Sequence, residues 1–185
     1  MYISDCRNYP NCHYTINDLN KFIGEIFEFI SGNKGLYIKY LSNVVINNLD
    51  DIKQQLYDKL IASTDKEITY GSTLIGPHRD DFSFQIDDNN LSLYGSQGQI
   101  KMAVLALKLA EINVFRDASN TMPVLLLDDL FSELDLNKRN KILKFINNDI
   151  QTIITTTDVD NIDSENLINA YIYKIEDGKV IEKKL

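Results

Sequence analysis

The stretch Pro123-Val-Leu-Leu-Leu-Asp-Asp-Leu-Phe-Ser-Glu-Leu-Asp135 sets the tightest limit on what this chain can fold into. Four aliphatic residues, Val124 to Leu127, run without alternation into two adjacent carboxylates, Asp128 and Asp129. Such a run predicts a strand buried on both faces, as in a parallel sheet between helix layers. Sheets of this type bind ligands just past the carboxyl ends of their strands, where the two acids fall. One acid is placed there to hold Mg²⁺ on a nucleotide's phosphates, and its neighbour to orient an attacking water. Acids that only cap the following helix are the plainer alternative, and both readings stand at this point.

The 185 residues suffice for one core, or for one core plus an appended arm. With 44% hydrophobic and 25% charged residues, the composition is that of an ordinary globular protein. No apolar run approaches the roughly 18 to 20 residues that span a bilayer. The N-terminus lacks the basic-then-apolar pattern of a signal peptide, so a cytoplasmic protein without a membrane partner is expected. A net charge of −8 argues against holding duplex DNA by phosphate neutralisation alone. Lys138, Arg139, Lys141 and Lys144 cluster on one predicted helix and read as a solvated face. Cys6, Cys12 and His13 offer three soft ligands but no second pair to complete a zinc site.

Along the chain, Leu19, Phe22, Ile23, Ile26, Phe27 and Ile30 predict one amphipathic helix over 17–31, stopped by Gly32. Residues 35–41 read as a strand and 50–62 as a second helix. Gly76-Pro77 marks a turn, and the acids after Arg79 read as its ion-pair partners at Asp80 or Asp81. Phe82, Phe84 and Ile86 alternate with polar residues as a half-buried strand, and Asp88-Asn89-Asn90 turns it into a short strand at Leu91–Leu93. A helix from Ile100 to about Phe115 buries Met102, Leu105, Ala106, Leu109 and Ile112. Just before it, Gly95-Ser-Gln-Gly98 gathers free amides, a hydroxyl and a helix dipole, a combination that attracts phosphate or simply caps the helix. A helix over 136–148, a β-rich run over 151–158 and a hairpin around Asp177-Gly178 complete the chain.

Taken together, a Ser-x-Gly-Gln loop opening a long helix, a strand ending in paired acids and a following Ser-x-Leu-Asp resemble the C-terminal half of an ABC-type ATPase head, as in SMC-like proteins. Gly76-Pro-His-Arg-Asp-Asp81, Ala106-Leu-Lys-Leu-Ala-Glu111 and Leu127-Asp-Asp-Leu-Phe-Ser-Glu-Leu-Asp135 narrow the resemblance to the RecF family of bacterial replication and repair proteins, over about Thr15 to Glu182. The resemblance implies an α/β fold, the C-terminal lobe of an ABC-type head with a largely parallel sheet flanked by helices. It implies a small α/β arm over 1–66 and the lobe over 67–185. Asp128 matches the Walker B acid that supports Mg²⁺, and Asp129 the water-activating carboxylate. Ser96, Gln97, Gly98 and Gln99 match the signature that contacts the γ-phosphate of ATP on a partner protomer. Ser132 to Asp135 matches the D-loop at the dimer interface, and Thr157 the switch position, where transporters carry His. His78 and Arg79 match the family's string without an assigned chemistry.

No Gly-x-x-x-x-Gly-Lys-Ser/Thr occurs in the sequence, so the primary cradle for the β- and γ-phosphates is missing. The chain is therefore expected to be a piece cut from a longer protein or the product of a split or truncated gene, with no ATPase of its own. For the intact protein the resemblance implies an ATP-dependent homodimer that engages gapped DNA or single-strand/double-strand junctions together with recombination-mediator proteins. A docking module acting through residues 1–66, and the half of another SMC-like ATPase of phage or defence type, are the alternatives.

Overall fold

The computed structural model describes residues 9–129, 134–146, 150–157 and 170–184. The chain divides into two compact units, Met1–Asp117 and Ala118–Leu185.

In the first unit, helices α1 (Tyr9–Asn20) and α2 (Ile23–Ser31) precede strand β1 (Leu36–Leu41). The single helix expected over 17–31 is thus two. At the break Lys21 and Phe22 donate to the carbonyls three residues back, at 3.2 and 3.1 Å, which tightens the chain and redirects it. Ile16, Leu19, Ile23, Ile26, Phe27 and Ile30 still form one buried stripe, whereas Phe22 is only half-buried. Gly32, at φ 79°, closes α2 in the left-handed conformation that glycine adopts without strain. Asn20 then uses its amide as a one-residue strand. Its Nδ2 donates to the Ile38 carbonyl at 2.8 Å, and its Oδ1 accepts from the Ile38 N–H at 2.7 Å. The open edge of β1 is satisfied there without a neighbouring strand.

Helix α3 (Leu49–Tyr70) starts at Asn48, whose side chain accepts from the Asp51 N–H, and runs eight residues beyond the expected end at Ala62. Hydroxyls at Ser63, Thr64 and Thr69 donate back to carbonyls one turn earlier, so residues that usually interrupt a helix continue it. Strand β2 (Asp81–Ile86) lies antiparallel to β1, with Ile38 opposite Phe84. Its alternation is as expected, but its polar face is the more buried one. Ser83 and Gln85 are enclosed and satisfy each other through Gln85 Nε2 and Ser83 Oγ at 2.8 Å, while Phe82 and Phe84 meet edge-on, half-buried.

Strand β3 is only Asn89–Asn90, paired back across Asp87 and Asp88, both at positive φ. The strand expected at Leu91–Leu93 is a helical turn instead, α4 (Leu91–Tyr94), because the Asn90 side chain accepts from the Ser92 N–H at 2.9 Å and starts it. Helix α5 (Gln97–Ser119) buries all five residues of the expected stripe, and Ala103, Leu107 and Ala110 besides.

In the second unit, β4 (Leu125–Leu127) pairs in parallel with β5 (Thr152–Ile154), and helix α6 (Leu136–Ile146) links them as a βαβ crossover. Leu125 and Leu127 are buried, but Leu126 is 69% exposed and Ile153 opposite it 53%. The expectation of a strand covered on both faces is corrected to cover on one. The unit closes on a hairpin, β6 (Tyr171–Glu176) and β7 (Lys179–Lys184), turned by Asp177 and Gly178 at positive φ. Among the described residues no helix is long and apolar enough to cross a membrane.

Replacing Asn20 by Ala strands two part-buried backbone groups on β1. This variant is expected to lose about 1–3 kcal/mol, read as a lower urea midpoint at unchanged slope.

Candidate functional site

The paired acids sit at the carboxyl end of β4, and β5 holds them. Thr155 extends the parallel ladder by donating its N–H to the Leu127 carbonyl at 2.9 Å. Its hydroxyl then bridges the two acids, donating to Asp128 Oδ1 and accepting the Asp129 backbone N–H at 3.0 Å. Asp129 has φ 47°, a left-handed conformation that non-glycine residues hold when their surroundings fix it, and the Thr155 hydroxyl is one such constraint. Both carboxylates are exposed. Asp128 thus has one oxygen engaged and Oδ2 without a hydrogen-bond partner among the described residues.

That oxygen suits Mg²⁺ carried on a nucleotide, a cation that takes one or two protein carboxylates and fills its shell with phosphate oxygens and water. It does not make a free-standing metal site. Among the described residues no three His, Cys, Asp or Glu groups gather to hold an ion. Cys6 lies outside the described residues.

In the first unit, Ser96 and Gln99 form a reciprocal cap at the start of α5. Gln99 Oε1 accepts the Ser96 N–H at 2.9 Å, and Ser96 Oγ accepts the Gln99 N–H at 3.2 Å. Gln97, Gly98 and Gln99 therefore belong to the first turn of the helix. The cap uses the Ser96 oxygen as an acceptor, which leaves its own proton to donate. A Cβ on Gly98 would meet only Ser96 Oγ, at 4.0 Å, so nothing in this chain's packing requires glycine there. At Gly95 the reverse holds, because a Cβ would collide with the Leu91 carbonyl and side chain.

Asp135 caps α6. Its Oδ1 accepts the Lys138 N–H at 2.9 Å and its Oδ2 meets Lys138 Nζ at 2.6 Å. The side-chain bond to Lys138, then the backbone bond, hold its carboxyl below the ordinary value of 3.8. Ser132 lies outside the described residues. Thr157 is exposed and makes no hydrogen bond to either acid; the hydroxyl that does is Thr155, which the sequence reading passed over. Only the parallel register identifies it. The basic cluster expected on α6 does not form one solvated face. Arg139 is buried with Nε donating to the Leu134 carbonyl, and Lys138 is paired with Asp135.

Arg79 is not ion-paired with Asp80 or Asp81. Its Nε donates to the Thr73 carbonyl at 2.7 Å, while Asp80 accepts from Tyr40 and Asn43, and Asp81 from the Phe82 N–H. Both His78 and Arg79 are exposed.

No family model matches the chain. It is 41% identical over 172 residues to the DNA replication and repair protein RecF of Lactobacillus delbrueckii subsp. bulgaricus, covering 90% of this chain and 45% of that one. Against the same protein of Halalkalibacterium halodurans the identity is 39% over 169 residues, covering 89% and 46%. Among solved structures, the recombination mediator protein RecF-ATP of the RecFOR pathway aligns with a TM-score of 0.75 at 32% identity, over 93% of this chain and 45% of that one. An SMC head bound to the C-winged helix domain of ScpA aligns with a TM-score of 0.54 at 16% identity, a likeness of fold alone. The chain therefore has the α/β fold shared by RecF and SMC heads, and spans a little under half the length of these relatives.

The lowered carboxyl of Asp135 stabilises the fold above the ordinary value of 3.8, and that contribution fades as pH falls through the lower folded value. Asp135→Ala is expected to cost about 1 kcal/mol at pH 7 as a lost cap, with little added from the exposed Lys138 pair. Urea unfolding of variant and parent should converge at acid pH.

Proposed function

The chain belongs to the RecF family of DNA replication and repair proteins, of whose length it spans about 45%, and on that premise we propose that it supplies the signature, the paired acids and the D-loop of a composite ATPase acting in recombinational repair and replication restart. The observation that carries this reading is the Thr155 hydroxyl set between Asp128 and Asp129, which holds the carboxylate of one and the backbone of the other at the ligand-binding end of a parallel pair.

Bound Mg²⁺ would offset charge on the nucleotide's phosphates. Every other role falls to the chain's own groups. Asp128 offers Oδ2 to the cation, and Asp129 orients the attacking water. The Ser96 hydroxyl and the amides of Gln97 and Gly98, orphaned as at any helix start, donate to the γ-phosphate of ATP. Gly98 suits that role because a Cβ-free surface lets the phosphate approach the backbone. The D-loop match assigns Ser132 and Asp135 a role in pairing with a second protomer, and Thr157 the switch position.

The β- and γ-phosphate cradle must come from a P-loop outside this sequence, so the chain alone is not expected to turn over ATP. Assembled, the protein works in the cytoplasm as an ATP-dependent homodimer on gapped DNA or junctions, with recombination-mediator partners. Residues 1–66 form the arm, and exposed Tyr57 and Ile61 on α3 favour docking through it as a second role.

The test mixes this chain with a separately expressed RecF-type segment carrying a P-loop and follows ATP hydrolysis with and without gapped DNA. Turnover should need both pieces, fall about 100-fold or more with Asp129→Asn, and vanish with Asp128→Ala or Ser96→Arg. Thr155→Val should lower turnover and raise the Mg²⁺ needed for half-maximal rate, while Thr155→Ser keeps both near the parent. Silence from a complex shown to be assembled would overturn the composite-ATPase reading and leave the docking role.

A further inference from the structure

The string Gly76-Pro-His-Arg-Asp-Asp81 is built as a support for two exposed side chains, His78 and Arg79. Gly76 holds φ 141°, a conformation L side chains rarely adopt, and a Cβ there would lie 2.7 Å from the His78 ring. Only glycine lets that ring sit over the backbone. Pro77–Arg79 forms a 3₁₀ turn, closed by the Arg79 N–H on the Gly76 carbonyl at 2.9 Å. Asp80 anchors the turn to the end of β1, accepting from Tyr40 Oη at 2.6 Å, the Asn43 N–H at 2.9 Å and Asn43 Nδ2 at 2.8 Å.

Among the described residues, Asp80, Asp81 and Glu67 are each engaged by neutral donors. Asp80 serves Tyr40 and Asn43, Asp81 takes the Phe82 N–H, and Glu67 takes the Leu74 N–H at 2.7 Å and the Ser63 hydroxyl at 3.2 Å. Arg79 itself is oriented by Nε on the Thr73 carbonyl, and its two terminal nitrogens meet no carboxylate among the described residues. A brace to a carbonyl needs a donor but no charge, and Gln would serve as well. A guanidinium oriented through Nε and kept out of ion pairs among the described residues, in a chain of net charge −8, is suited to a planar oxyanion approaching from outside.

We propose that residues 76–81 present Arg79 and His78 to a phosphate group, carried either by a nucleic-acid backbone or by a nucleotide. The negative charges of Asp80 and Asp81 oppose long-range attraction, so the contact works at short range through the guanidinium fork rather than as a steering patch. The proposal does not depend on the ATPase reading.

The chain contains two histidines, so in proton NMR the imidazole signals of His78 can be followed with His13 as an internal control. Inorganic phosphate, ATP and a short DNA duplex with a single-stranded overhang are titrated separately at fixed pH and low salt. The His78 signals should move saturably while those of His13 stay, and Arg79→Gln should abolish the movement with the backbone amide spectrum otherwise kept. Arg79→Lys, which keeps the charge but loses the fork, should weaken the response several-fold, and it carries the test if the Gln variant does not fold. Saturation by DNA at phosphate concentrations where ATP and inorganic phosphate do nothing identifies the backbone as the source. Saturation by ATP or phosphate at least as readily identifies a nucleotide or free anion. His78 signals unmoved by all three ligands, or an undiminished response in the variants, would overturn the proposal.

Discussion

A single step of register between β4 and β5 decides whether the paired acids have a partner. Leu127 stands opposite Ile154, so the next residue on each strand is Asp128 on one and Thr155 on the other. The Thr155 N–H closes on the Leu127 carbonyl, which puts the hydroxyl level with both acids. Slipping either strand by one residue would turn every side chain of that strand to the opposite face and put an aliphatic or a misdirected hydroxyl at this point. The Asp129 backbone, at φ 47°, would then lose the acceptor for its N–H. The geometry of the acids is thus a consequence of strand pairing more than of the loop that carries them.

The same economy recurs elsewhere, with different results for the groups involved. At Ser96 the cap consumes an acceptor and an N–H but leaves the hydroxyl proton, so capping α5 and donating to an anion are compatible roles for one side chain. At Asp135 both carboxylate oxygens meet Lys138, so capping α6 occupies the whole group. At Asp80 three neutral donors take up the carboxylate and leave the neighbouring guanidinium without it. Cap and chemistry are therefore not rival readings of a polar residue in general. Which one survives depends on how many lone pairs and protons the cap uses.

Much of this was legible in the sequence, because helix stripes, terminating glycines and paired acids are local signals. The five-residue stripe of α5, the stop at Gly32 and the turn at Asp177-Gly178 all follow from spacing alone. What could not be read was set by partners that only the folded chain identifies, near or far in sequence. Thr155 looks like any β-branched strand residue until the register is known. Arg79 beside two acids looks like an ion pair until Tyr40 and Asn43 arrive to claim Asp80. Arg139 counts as a surface charge until the Leu134 carbonyl draws it inward. The burial of Ser83 and Gln85 is hidden for the same reason, since two polar residues that satisfy each other cost little to enclose.

The unalternating run at Val124–Leu127 carries a further physical consequence. Burying an aliphatic side chain is worth about 1.5–3 kcal/mol relative to leaving it in water, and Leu125 and Leu127 realise that gain within the chain. Leu126, with Ile153 beside it, does not, and neither do Tyr171, Tyr173, Ile175 and Val180 on the closing hairpin. An isolated two-stranded hairpin is marginal in water, so β6–β7 gains little from its own ladder alone. The second unit thus has a sequence patterned for more apolar contact than its described residues make. That fits a chain spanning 45% of the length of the RecF proteins it matches, in which cover for these faces would come from the remainder. Covering the exposed face of β4 and β5 would also stiffen the pair whose register holds Thr155 between the acids.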